Sequence, residues 1–141
     1  MATVHLTRIV EFDASHRIAR ADWTADENAR MFGKAAQDHA HRYQVRVTVK
    51  GPLVAQQGGG GIVSLQALDA LLEREIIARL QGRHVNQDIP EFGPKGRLAT
   101  GEALAVYLWE RLAPGLPPGV TLHAVRVQEG PHLYSEYFGD A

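Results

Sequence analysis

Seven histidines and no cysteine define the chemistry open to this 141-residue chain. His39 and His41 stand two apart, and directly after them Tyr43-Gln44-Val45-Arg46-Val47-Thr48-Val49-Lys50 alternates apolar and polar side chains, the pattern of a strand with one buried face. In extended chain, residues i and i+2 project to the same side, so the two imidazoles can share one metal ion. His16 ends an earlier run, Phe12-Asp13-Ala14-Ser15-His16, and hairpin-like pairing of the two segments could bring it beside the others. Three histidines with an open coordination position would make a catalytic Zn2+ site, which acidifies bound water to a pKa of about 7 or polarises a substrate oxygen. On spacing alone a His-x-His pair is more often incidental than metal-binding, so the surrounding residues decide. The lack of cysteine excludes disulfides, thiolate zinc sites and cysteine nucleophiles.

The elements that must position these residues can be read in order. Val4 to Phe12 is rich in β-branched residues and pairs with the alternating strand, which Gly51-Pro52 ends. The connection between them, roughly residues 13–38, reads as a long polar loop holding Trp23, Asp26, Glu27 and Phe32, and long loops on small domains tend to be functional. Gly58-Gly59-Gly60-Gly61 lacks the lysine and hydroxyl of a phosphate loop and reads as a turn. Ser64 then caps a helix with Leu65, Leu68, Leu72, Ile76 and Leu80 at helical spacing, stopped at Gly82. A second helix starts at Thr100 and carries Leu104, Leu108 and Leu112. Val120 to Glu129 and Leu133 to Phe138 are two further strands around a Gly130-Pro131 turn. The pattern is α+β, ββααββ, with two helices on one face of a four-stranded antiparallel sheet, as a single domain over 1–141.

Composition narrows the function classes. With 45% hydrophobic residues and 15 basic against 16 acidic side chains, there is no broad cationic field for a nucleic-acid backbone. No apolar run of membrane-spanning length and no secretory pattern is visible, so a soluble cytoplasmic protein is the expectation. Exposed sheet edges favour pairing between subunits.

These motifs resemble the 6-pyruvoyl-tetrahydropterin synthase family, which includes the 6-carboxy-tetrahydropterin synthases. The resemblance runs through Phe12-Asp13-Ala14-Ser15-His16-Arg17, Asp26-Glu27-Asn28, Phe32-Gly33-Lys34, His39-Ala40-His41-Arg42-Tyr43, Asn86-Gln87-Asp88-Ile89-Pro90, Thr100-Gly101-Glu102 and Val127-Gln128-Glu129. It implies a tunnelling fold, subunits joined into a trimeric barrel, two barrels stacked as a homohexamer, and active sites at subunit boundaries. It assigns Zn2+ to His16, His39 and His41, and a pterin-anchoring role to Glu129 with Thr100 nearby. A carboxylate suits that role because it can accept two hydrogen bonds from an aminopyrimidinone edge.

The chain also departs from the family pattern. Ala35, after Phe32-Gly33-Lys34, stands where the animal-type synthases place a cysteine base, and counting back from Asn86-Gln87-Asp88 puts Gln81-Gly82 at the family's Asp-His pair. The usual substrate in the family is 7,8-dihydroneopterin triphosphate, and losing both proton movers should nearly abolish that reaction. Candidate replacements are Asp38, beside the metal motif, His84, after the first helix, and Glu27, in the long loop. The expected function is a zinc-dependent lyase acting on a dihydropterin or related fused heterocycle with an oxygenated side chain, by altered proton transfer. The alternatives are a catalytically silent pterin- and metal-binding paralogue, or an enzyme repurposed for a non-pterin carbonyl substrate.

Overall fold

The computed structural model describes residues 2–53 and 61–140. The chain orders as β1 (Thr3–His16), α1 (Ala25–Phe32), β2 (His39–Pro52), α2 (Leu65–Leu72), α3 (Ala78–Leu80), β3 (Arg83–His84), α4 (Val85–Asp88), α5 (Gly101–Leu112), β4 (Thr121–Gly130) and β5 (Leu133–Tyr137). The sheet has five strands in the order β3-β1-β2-β4-β5. Four are the antiparallel strands expected from the sequence. The fifth, β3, is two residues long and runs parallel to β1, pairing Arg83 with Ala14 and His84 with Ser15. Two residues carry no periodicity, which is why pattern reading gave four strands.

β1 and β2 are both longer than their alternating cores, and this decides the site. They pair antiparallel over 14 positions, with Phe12 opposite Tyr43, Ala14 opposite His41 and His16 opposite His39. Paired residues share a face, so the histidines continue the buried row of Phe12, Tyr43, Val45, Val47 and Val49. Leu68, Leu72, Ile76 and Leu80 of the α2–α3 rod and Leu104, Leu108 and Leu112 of α5 close that face in one apolar cluster. Leu65, expected in the stripe, is 49% exposed instead. It occupies the first residue of α2, before the helix has turned onto the sheet.

The expected 13–38 loop is not structureless. It contains α1, whose start is a capping box: Thr24 Oγ1 accepts from Glu27 N–H at 3.1 Å, and Glu27 Oε1 accepts from Thr24 N–H at 3.0 Å. The leucine-rich rod ends with α3 at Leu80, and Gly82, with φ of 73°, turns the chain into β3. Of the tetraglycine turn, residues 58–60 lie outside the described residues. Among the described residues no helix is long and apolar enough to cross a membrane.

Candidate functional site

The β1–β2 register brings the three histidines together. Ring centroids lie 4.5 Å apart for His16–His39, 5.1 Å for His16–His41 and 4.8 Å for His39–His41. One nitrogen from each falls within 4.8 Å of the other two. Two of the rings are held from behind. His16 Nδ1 donates to Ala99 O at 2.6 Å and His39 Nδ1 to Gln37 O at 2.8 Å, which fixes the tautomers that leave Nε2 bare. His16 Nε2 is buried with no hydrogen-bond partner. Burial, and then the neighbouring imidazoles, push the His16 pKa down to about 4, and burial followed by His39 lowers that of His41. A buried, neutral, unpartnered lone pair beside two more imidazoles fits a borderline-soft divalent cation of the zinc type. The trio can hold a metal ion.

Glu129 of β4 is 9% exposed, with Oε1 3.9 Å from His16 Nε2. Burial raises its pKa, and the charge of Glu102 raises it further. Its carboxylate lies over the start of α5, where a side-chain carbon on Gly101 would collide with it. Any larger residue there would have to displace the carboxylate. Thr100, the expected neighbour, is the N-cap of α5, its Oγ1 accepting from Ala103 N–H at 3.1 Å. A shallow hollow of about 440 Å3 joins His41 and Glu129 to Gln44, Gln128 and Gly130. Tyr43, its ring 5.5 Å from that of His41, is stacked on Phe12 at 5.1 Å, and burial raises its hydroxyl pKa.

The three candidate proton movers part company. His84 Nε2 lies 3.0 Å from Asp38 Oδ1, and the same oxygen accepts from Arg17 Nη1 at 2.8 Å. Arg17, and then His84, hold the Asp38 pKa below the usual carboxylate range. His84 Nδ1 is buried and unpartnered. Glu27, by contrast, is committed to the capping box of α1. Gln81 and Gly82 are tied to the backbone of β1: Gln81 Oε1 accepts from Asp13 N–H at 3.1 Å and Gly82 N–H donates to Asp13 O at 2.7 Å. That anchorage delivers His84, two residues later, to Asp38. An Asp-His pair therefore exists in space although Gln81-Gly82 stand where the family places its Asp-His dipeptide. Ala35 sits on the turn before β2, its carbonyl accepting from Ile18 N–H at 2.7 Å, with only a methyl group to offer.

Sequence reading missed two positioning features. Asn28, buried inside an otherwise exposed α1, receives Arg20 N–H at 2.7 Å and returns its amide to Arg20 O at 3.0 Å. Asn86 does the same for Arg17, at 2.9 and 3.0 Å. The Thr24-x-x-Glu27 spacing is the signal that could have located α1.

The model of the family described as 6-pyruvoyl tetrahydropterin synthase matches residues 5–140. The Dictyostelium discoideum 6-pyruvoyl tetrahydrobiopterin synthase is 29% identical over 98% of this chain and 98% of its own, and the Homo sapiens protein of that name is 33% identical over 96% and 91%. The solved structure of Caenorhabditis elegans 6-pyruvoyl tetrahydropterin synthase superimposes with a TM-score of 0.88 at 26% identity, covering 99% of this chain and 98% of that one. A Plasmodium vivax synthase at 13% identity shares the fold, with a TM-score of 0.68. With its tunnelling-type sheet, its histidine trio and a match across nearly its whole length, this chain belongs to the 6-pyruvoyl tetrahydropterin synthase family.

Proposed function

We propose that the protein is a zinc-dependent lyase of pterin metabolism, acting on a dihydropterin with an oxygenated side chain, and that Asp38 and His84 replace the family's usual proton movers. The observation that carries the reading is the hydrogen-bonded Asp38–His84 pair in the same chain as a converging histidine trio. His16, His39 and His41 would hold the metal. Zinc, when bound, polarises side-chain oxygens and acidifies the adjoining C–H bonds. Glu129 anchors the pterin by accepting from its ring N–H groups, with Thr100 beside it.

Asp38 orients His84 by accepting from Nε2–H. The buried Nδ1 then keeps a lone pair for a substrate proton, at an atom that no other group among the described residues uses. Arg17 keeps Asp38 ionised throughout. Glu27, committed to its capping box, is the weakest of the three candidates for direct proton transfer. Active protein is a homohexamer, a dimer of trimers, working in the cytoplasm on a small heterocycle and not on nucleic acid.

Ala35 favours a second reading, a silent pterin- and metal-binding paralogue, because a methyl group cannot move a proton. Mass spectrometry of products from 7,8-dihydroneopterin triphosphate and its dephosphorylated form separates the two. Turnover that falls about 10²-fold or more in Asp38→Asn, with neopterin affinity kept, is expected for the lyase. Saturable binding without product from either compound would assign the silent paralogue.

A further inference from the structure

On the face of the sheet turned away from the helices, the rings of His5 and His123 stand with their centroids 4.3 Å apart and their planes tilted by 37°. They come from strands that are not neighbours. β2 lies between β1 and β4, so the two backbones are separated by about 10 Å, twice the spacing of adjacent strands. The imidazoles therefore meet above the middle strand. His5 is opposite Lys50 in the β1–β2 ladder, and on the same face Thr7 is opposite Thr48, with their hydroxyls 2.7 Å apart.

A local irregularity in β4 brings His123 into this position. β2 pairs Thr48 with Ala124 and Val49 with Leu122, which leaves His123 as the extra residue of a β-bulge. Such a bulge interrupts the ladder and re-aims a side chain, and bulges are over-represented beside functional sites. Here the re-aimed side chain is the half-buried histidine, while Leu122 and Val125 remain in the core. Phe138, just past β5, presents its ring edge-on to that of His123 at 6.0 Å. Burial, then His5 and then Lys50, lower the pKa of His123, so at neutral pH its ring keeps a bare lone pair.

We infer that His5 and His123 form a second metal site, for a late first-row divalent ion, at the opposite end of β1 from His16 and on the opposite face of the sheet. Two imidazoles without a thiolate or carboxylate are a borderline donor set, and among divalent ions of that row such a set holds Cu2+ most tightly. His5 is exposed, so the remaining coordination positions are open to water. Lys50 opposes a cation there and weakens the site. The site stands independently of the reaction proposed above and of the histidine trio.

Cu2+ titration of the full chain, followed by calorimetry, tests it. The background is His39→Ala, His41→Ala, so that the trio does not compete for copper. In that background His5→Ala and His123→Ala should each lose one Cu2+ per chain, and the two together should lose no more than either alone, because both residues serve one ion. Lys50→Gln should tighten binding about threefold by removing a like charge, a gain that a misfolded chain does not give. Copper stoichiometry unchanged by either single variant would overturn the site. Additive losses, one ion for each histidine, would overturn it as well, since the two rings would then bind copper separately.

Discussion

His16 should make the metal-free protein acid-sensitive by an amount the structure sets. Its ring is 1% exposed, and its pKa falls from an ordinary 6.5 to about 4, mainly through burial. Between those values the unfolded chain binds a proton that the folded chain refuses, so stability rises with pH across this window. The contribution is fully present above about pH 6.5 and is lost progressively down to about pH 4. A shift of that size corresponds to about 3 kcal/mol. The perturbation is His16→Gln, which removes the titrating group and costs stability at every pH. The assay is urea unfolding of chelator-treated wild type and variant, at equal chain concentration, at pH 7 and pH 4. Wild type should lose about 3 kcal/mol more than His16→Gln between the two. Parallel losses would refute the reasoning, since His16 would then titrate alike in both states and could not be the desolvated, metal-ready ligand described above.

Three further outcomes follow from the geometry. Elemental analysis should find one zinc per chain, falling toward zero in His39→Ala, His41→Ala; unchanged stoichiometry would remove the histidine trio as the metal site. Glu129→Gln should weaken neopterin binding by about 1.5–3 kcal/mol, the range for a hydrogen bond to a charged group, while zinc is kept; equal affinity in calorimetry would disqualify the anchor. Light scattering should report a six-chain mass, because β5 and β3 leave open edges; a clean monomer at micromolar concentration would exclude a site built between subunits.

The parts of this molecule legible in its sequence are those written in local periodicity. The eight-residue alternation in β2 gives the face on which His39 and His41 lie, and antiparallel pairing with β1 then puts His16 opposite His39. The leucine rows of the two main helices give the layer that buries that face. What escaped the sequence has no period. β3 is two residues long, and the Asp38–His84 contact joins groups 46 positions apart through a turn pinned to Asp13. Glu27 illustrates the opposite error: an acidic residue in a functional-looking loop was a candidate for chemistry, yet its spacing from Thr24 already encoded a helix cap.

The same contrast bears on how a family site can lose its named residues and keep the means to move a proton. A catalytic pair needs a carboxylate on one ring nitrogen and a free lone pair on the other; it does not need the two residues to be neighbours in the chain. Here the carboxylate comes from the residue before β2 and the imidazole from β3, two strands that flank β1 on opposite edges. Because β1 also supplies His16, one strand sets the spacing between the proposed metal ligand and the proposed base. Shifting its register by one residue would turn His16 to the opposite face and break its match with His39, while the parallel pairing with β3 would slip as well. The long β1–β2 ladder, which extends beyond the hydrophobic core to the last histidine pair, is therefore the element on which the histidine trio, the proposed pterin anchor and the Asp38–His84 pair all depend.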